Sequence, residues 1–128
     1  MIVDSSALVA MALREAGHDL LIDKLSAATQ AGIGAPTLVE TAIVLSARLR
    51  RDARGAVARM IQELEIEIDP FADVHYGIAV DAWLRFGKGR HPAALNFGDC
   101  LTYAVAKVTM RPLLCTGDDF TKTDLELA

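Results

Sequence analysis

The chain has 128 residues, of which 52% are hydrophobic, and it carries a formal net charge of -4 with an isoelectric point near 5.3. This length suits one domain, no apolar run approaches the roughly 20 residues of a membrane span, and the first residues lack the basic and apolar segments of a signal peptide. The acidic balance argues against binding nucleic acid by overall charge, so we expect a single cytoplasmic domain over residues 1–128, with only local basic contacts to any nucleic acid.

Short apolar runs alternate with helical stretches in the first half of the chain. The predicted elements, in chain order, are a strand at residues 1–3, helices at 7–16 and 18–28, a strand at 32–36 and a helix at 38–51. Asp4 follows the first strand, where its side chain can cap the next helix. That helix is expected to end near Gly17, because glycine is common just after a helix.

The second half repeats the same alternation. The predicted elements are a helix at residues 54–65, a strand at Ile66–Asp69, a helix at 72–86, a loop at 87–95, a helix at 96–108 and a strand at 112–115. The strand Ile66–Asp69 alternates apolar and acidic residues, as a strand with one solvated face would. Strands that alternate with helices predict a parallel sheet covered by helices on both faces.

Acidic residues stand at or near the points where the predicted strands give way to helices. They are Asp4, Glu40, Asp99 and the adjacent pair Asp118 and Asp119. In an open parallel sheet the carboxyl ends of the strands meet at one crevice, so carboxylates far apart in sequence can become neighbours there. Clustered carboxylates repel one another unless a cation lies between them, and oxygen ligands of this kind suit Mg²⁺ or Mn²⁺.

Each of these carboxylates also has a structural interpretation. Thr37 and Glu40 match a capping box, Asn96 and Asp99 form the analogous arrangement, and Asp4 can be an ordinary N-cap. Capping does not explain the two aspartates that follow the last strand. The two roles are also compatible, since a carboxylate near a helix N-terminus stays ionised more readily.

A basic group precedes the last predicted helix. Lys88, Arg90 and His91 lie in a loop that also contains Gly87 and Gly89. These side chains can contact the phosphates of a nucleic acid, or the loop can be a solvated connection.

Four segments, in order along the whole chain, carry a family resemblance. They are IVDSSAL at residues 2–8, LVET at 38–41, GKGRH leading to NFGDC over 87–100, and PLL followed by GDDF over 112–120. Together they resemble PIN-domain ribonucleases, and most closely the VapC toxins of bacterial toxin–antitoxin systems. Each segment alone is a weak signal, whereas the ordered set with its spacing is a strong one.

The resemblance implies an α/β fold, namely a three-layer α/β/α sandwich with a central, mainly parallel sheet and an acidic pocket that binds Mg²⁺, with Mn²⁺ as an alternative. Asp4, Glu40 and Asp99 match the family's acidic positions. The fourth catalytic position is assigned to Asp118, with Asp119 as the alternative. Asp4 and Asp99 are expected to be the direct metal ligands.

The resemblance also implies an RNA substrate, often tRNA, and silencing by a VapB-type antitoxin. Ser5 and Thr116 join the basic loop as candidate substrate-binding residues, although helix capping is the more common role for such a serine. An apolar helix surface that includes Leu8, Met11 and Ala12, together with the resemblance, predicts a homodimer.

Other protein classes use a similar acidic pocket. A response-regulator receiver domain expects an aspartate at the end of a central strand near mid-chain, where residues 51–55 are helical in pattern here. A phosphatase with an aspartyl nucleophile expects a second aspartate two residues after Asp4, where Ser6 stands. A catalytically silent PIN-like module that only binds RNA or protein remains an alternative, because a sequence does not demonstrate turnover.

Overall fold

The computed structural model describes residues 1–128 as four strands and six α-helices. The strands are β1 (Ile2–Val3), β2 (Ala31–Gly34), β3 (Ile66–Asp69) and β4 (Leu113–Leu114). The helices are α1 (Ser5–Ala12), α2 (His18–Ala27), α3 (Ala35–Leu49), α4 (Arg54–Glu63), α5 (Asp73–Phe86) and α6 (Phe97–Thr109), and a 3₁₀ turn at Phe120–Lys122 follows β4. No helix is long and apolar enough to cross a membrane.

The four strands form one parallel sheet in the order β3-β2-β1-β4. Alternate residues of β1 and β4 point to opposite faces, and both faces are buried. Ile2 and Leu113 pack against α5 and α6, whereas Val3 and Leu114 pack with side chains of α1 and α2. The predicted three-layer α/β/α sandwich is therefore confirmed, and all carboxyl ends of the strands lie at the same edge.

An ion pair crosses the sheet where β2 has no side chain. Arg111 Nη2 lies 2.6 Å from Asp69 Oδ2, and both side chains are mostly buried. A Cβ atom added to Gly32 would overlap Asp69 Oδ2. The glycine thus leaves the space that the ion pair occupies, and the pair links the end of β3 to the residues before β4.

The predicted capping box at the start of α3 is wrong. The helix begins at Ala35, directly after β2, and Gly34 is its N-cap without a side-chain cap. Pro36 fits this first turn, because a proline there loses no hydrogen bond. Thr37 consequently lies inside the helix, and Glu40 is free to face the carboxyl edge of the sheet.

The apolar surface predicted for self-association is also wrong. Leu8 is 1% exposed and Met11 is 7% exposed, because both belong to the core between α1 and the sheet. Ala12 is half-buried against the cluster around Leu45 and Val57. Helix α1 ends at Ala12 rather than residue 16, since the chain turns through Arg14 with a φ of 51°.

Candidate active site

Asp4 connects the end of β1 to the start of α1. Its Oδ2 accepts hydrogen bonds from the Ser6 amide at 3.0 Å and from Ser6 Oγ at 2.6 Å, so the predicted N-cap is confirmed. The residue is only 3% exposed. The capping bonds fix the carboxylate at the carboxyl edge of the sheet.

The second oxygen of Asp4 is held from α6. Asp4 Oδ1 accepts from the Thr102 hydroxyl at 3.0 Å, and Thr102 Oγ1 lies 2.9 Å from Thr37 Oγ1 on α3. All three residues are buried. Thr102 was not among the predicted site residues, yet it lies three residues after Asp99, which places the two side chains on one helix face.

Glu40 reaches the site from the second turn of α3. Burial raises the pKa of the Glu40 carboxyl, the charge of Asp4 raises it further, and a hydrogen bond with Ser5 opposes both. A Cβ atom added to Gly98 would lie 2.7 Å from Glu40 Oε1. Gly98, which was not among the predicted site residues, therefore lets the first turn of α6 approach the Glu40 carboxylate.

Asp99 stands in the first turn of α6. Its Oδ2 accepts from the Asn96 amide, and its own amide donates to Asn96 Oδ1, both at 2.9 Å, which confirms this capping box. Burial raises the pKa of Asp99 to about 6, the Asn96 hydrogen bond opposes the rise, and the charges of Asp4, Asp119 and Glu40 add to it. The structure thus brings these four carboxylates close enough to act on one another.

The loop after β4 forms the outer side of the site. Asp118 and Asp119 are both exposed. Of these two, Asp119 is the one whose negative charge acts on Asp99. The main-chain oxygen of Asp118 accepts from Thr121. Thr116 is exposed, and its amide donates to Ser6 Oγ at 3.0 Å, which ties this loop to the start of α1.

The basic loop between α5 and α6 is partly engaged within the protein. The Arg90 guanidinium lies 4.8 Å from the Trp83 ring centroid and donates to the Leu84 main-chain oxygen. His91 Nδ1 accepts from the Ala93 amide, and its ring meets the edge of a core phenylalanine. The Lys88 side chain is exposed and forms no hydrogen bond or ion pair, so it is the cation of this loop that is free for a ligand.

An apolar surface borders the acidic site. Phe97 is 79% exposed and lies between two surface grooves. One groove is lined by α5 and α6, with Tyr76, Val80 and Trp83 among its residues. The other contains Glu40 itself, so apolar surface continues to the edge of the carboxylates.

The donor set of the site fits a divalent cation. Its carboxylates present only oxygen ligands, and burial, with a further contribution from their mutual repulsion, raises the pKa values of Glu40 and Asp99. A bound cation would relieve that repulsion. No three His, Cys, Asp or Glu side chains, however, already have the spacing of a metal-binding cluster.

Comparisons with known proteins agree on one family. The family model described as "PIN domain" matches residues 1–125. A VapC ribonuclease of Mycobacterium bovis is 46% identical over 127 residues, which cover 98% of this chain and 91% of that protein. The ribonuclease VapC42 of Mycobacterium tuberculosis is 37% identical over 129 residues, which cover 100% of this chain and 98% of that protein.

Two solved structures share the fold at low sequence identity. VapC20 of Mycobacterium tuberculosis, described as a sarcin-ricin loop cleaving toxin, superposes with a TM-score of 0.79 at 18% identity and covers 99% of this chain and 97% of its own. A toxin–antitoxin complex from Klebsiella pneumoniae superposes with a TM-score of 0.72 at 17% identity and covers 99% of this chain and 95% of its own.

Proposed function

The chain belongs to the PIN-domain family and is an endoribonuclease toxin of the VapC type, and from that premise we propose that it uses Mg²⁺ to cleave a structured RNA, with tRNA as the first candidate. PIN-domain VapC ribonucleases depend on a divalent metal ion. One observation carries the proposal, which is the contact of α6, the helix that bears Asp99, with Asp4 through Thr102 and with Glu40 at Gly98. These contacts gather the carboxylates at the carboxyl edge of a parallel sheet, where their charges act on Asp99. Membership of this family excludes the receiver-domain and phosphatase alternatives.

The metal would be held by Asp4 and Asp99, with Glu40 ordering the water molecules around it. A divalent ion held there would supply the chemistry of the step, since it would make a water molecule more acidic for attack on the phosphodiester and would neutralise charge on the leaving oxygen. Asp4 contributes a carboxylate whose orientation is fixed by three donors. No protein nucleophile is required, and the nearby Ser5 side chain favours the ionised form of Glu40.

We assign the fourth acidic position to Asp119 rather than Asp118. The support is electrostatic, since the charge of Asp119 raises the pKa of Asp99. Asp118 is not among the charges that act on Asp99. Thr116 contributes its amide to Ser6, and its side chain is exposed toward solvent beside the site.

The RNA would approach across the basic loop. Lys88 is exposed and unpaired, and it lies in the segment that leads directly into the helix bearing Asp99. Arg90 rests on Trp83, where its guanidinium can still meet a phosphate or stack on a base from the solvent side. His91 is half-buried and makes a local hydrogen bond, so we expect it to contribute least to RNA binding.

A VapB-type antitoxin is the proposed protein partner. We also propose that the toxin acts in the cytoplasm, where RNA of this kind occurs. The apolar groove next to Asp99 supports an antitoxin site near the carboxylates, because Tyr76 is 72% and Phe97 79% exposed there. The homodimer stays a prediction. Sedimentation at micromolar concentration tests it, and a purely monomeric protein would count against it.

Cleavage of a panel of structured and single-stranded RNAs tests the proposed activity. We expect Mg²⁺-dependent cleavage by the parent protein and none by Asp4→Asn, whose melting temperature should show that it remains folded. Asp23→Asn is the matched control, since it removes the same charge from an exposed position on α2. Full cleavage by Asp4→Asn, or cleavage by the parent that persists in EDTA, would overturn the assignment.

A further inference from the structure

A chain of buried hydroxyl groups ends at the Asp4 carboxylate. Thr102 Oγ1 lies 3.0 Å from Asp4 Oδ1, and Thr37 Oγ1 lies 2.9 Å from Thr102 Oγ1. Thr37 is 2% exposed and Thr102 is fully buried. Hydroxyl groups in a core cost stability unless they are bonded, and here every buried side-chain oxygen has a partner.

The direction of these hydrogen bonds follows from the chemistry of the three groups. An ionised carboxylate can only accept, and a hydroxyl carries a single proton. The proton of Thr102 must therefore point to Asp4, and the oxygen of Thr102 then accepts the proton of Thr37. Since neither threonine can reverse its bond while Asp4 is ionised, the chain is directed toward the active site.

The two oxygens of Asp4 are not used equally. Oδ2 accepts from both the amide and the hydroxyl of Ser6, whereas Oδ1 accepts only from Thr102. Each carboxylate oxygen has about two acceptor positions. Oδ1 therefore keeps one position free, and it is the oxygen that is available to a cation.

From this arrangement we propose that Thr102, supported by Thr37, is a positioning residue that holds Asp4 Oδ1 ready for the divalent ion. The inference rests on the proposed function, because it takes Asp4 as a metal ligand. Thr102 does not touch the ion or the RNA and acts only through Asp4. The expected signature of its loss is weaker metal binding and a lower kcat, with an unchanged KM for RNA.

Three substitutions on α6 separate the hydroxyl from the shape of the side chain. Thr102→Val keeps the volume and removes the hydroxyl, whereas Thr102→Ser keeps the hydroxyl. Thr109→Val is the matched control, because the Thr109 hydroxyl bonds the Val105 main-chain oxygen on the same helix and does not contact the site. Mn²⁺ affinity, measured by calorimetry on the metal-free proteins, is the readout that does not depend on activity.

Thr102→Val should bind Mn²⁺ at least about 10-fold more weakly than the parent, as is typical when the support of a metal ligand is removed. Thr102→Ser and Thr109→Val should bind as the parent does. Parent-like Mn²⁺ affinity in Thr102→Val would overturn the inference, and so would equal losses in Thr102→Val and Thr102→Ser.

A folding defect in the valine variant would leave a second comparison. Thr102→Ala and Thr102→Ser both lack the methyl group and differ only in the hydroxyl, so a difference in Mn²⁺ affinity between them supports the inference and equality overturns it. If the parent protein binds no Mn²⁺ and cleaves no RNA, both the proposed function and the inference about Thr102 fail. If the parent binds Mn²⁺ and Thr102→Val binds it with the same affinity, only the role of Thr102 is overturned and the proposed function stands.

Discussion

The inner and outer sides of the acidic site are built differently. On the inner side Asp4 is buried and receives three hydrogen bonds. On the outer side Asp119 is exposed on a loop, and its side chain makes no hydrogen bond or ion pair. Bonds that are formed before the ligand arrives need no reorganisation when it binds. In the proposed mechanism the inner side would therefore position the cation, whereas the outer side could adjust to the substrate.

After the loss of cleavage expected for Asp4→Asn, the largest effect should come from Gly98, which lies against Glu40 on the inner side of the site. In Gly98→Ala the new methyl group would meet Glu40 Oε1 at 2.7 Å and displace the carboxylate. A displacement of about 1 Å can lower kcat by about 10²-fold. Gly77→Ala is the matched control, since a Cβ there meets nothing within 4 Å. Cleavage rates that are equal in the two variants would show that the inner side tolerates movement.

A smaller effect is expected from the outer side. Asp119→Asn should slow cleavage about 10-fold, within the range for groups that support a metal site, and should lower the pKa of Asp99 by removing a nearby charge. Asp118→Asn should change neither quantity. The cleavage rate and an NMR titration of the Asp99 carboxyl measure the two effects. A loss of activity in Asp118→Asn alone would reverse the assignment of the fourth acidic residue.

The pH dependence of stability tests the coupling between the two sides. The pKa of Asp99 is about 6 in the folded protein and 3.8 as a reference for the unfolded chain, so the folded state binds the proton more tightly. This carboxyl therefore favours folding at low pH, and its contribution is lost as the pH rises from about 4 to about 7. The raised pKa of Glu40 acts in the same direction.

Urea unfolding of the metal-free protein at pH 5 and pH 7 measures this effect. Asp99→Asn should reduce the difference between the two conditions, and saturating Mg²⁺ should reduce it in the parent by stabilising the ionised carboxylates. A parent protein that is more stable at pH 7 than at pH 5 without metal would contradict the raised pKa.

The smallest effect is expected on RNA affinity alone. Lys88→Ala should weaken binding and reduce the slope of log K against log salt by about 0.7 to 0.9 for each phosphate that the side chain no longer neutralises. Arg90→Ala should have less effect, because its guanidinium is already held on Trp83. Arg59→Ala, an exposed change on α4, is the control. Salt slopes that do not differ among these proteins would indicate that the loop is only a solvated connection.

The sequence alone predicted the parts of the site that depend on local pattern. Asp4 as a cap and the box formed by Asn96 and Asp99 are set by residues within one helical turn, and the structure confirms both. The same rule was wrong for Thr37, because a helix can start directly from a strand when Gly34 and Pro36 allow it. Tertiary packing replaced the local pattern there.

The parts that the sequence did not predict depend on contacts between distant segments. Thr102 and Gly98 gain their roles from the approach of α6 to Asp4 and Glu40, which no local spacing records. The choice between Asp118 and Asp119 depends on how the chain turns after Gly117, whose φ is 77°. Adjacent residues point in different directions after such a turn, so their order in the sequence does not decide which one faces Asp99.

The hydrogen bond from the Thr116 amide to Ser6 Oγ has a consequence for experiments in solution. Thr116 is exposed, and an amide proton in such a loop ordinarily exchanges rapidly with water. Here its protection depends on the same hydroxyl that donates to Asp4 Oδ2. The exchange rate of this one proton therefore measures how often the loop after β4 separates from the Ser6 hydroxyl, before any metal or RNA is added.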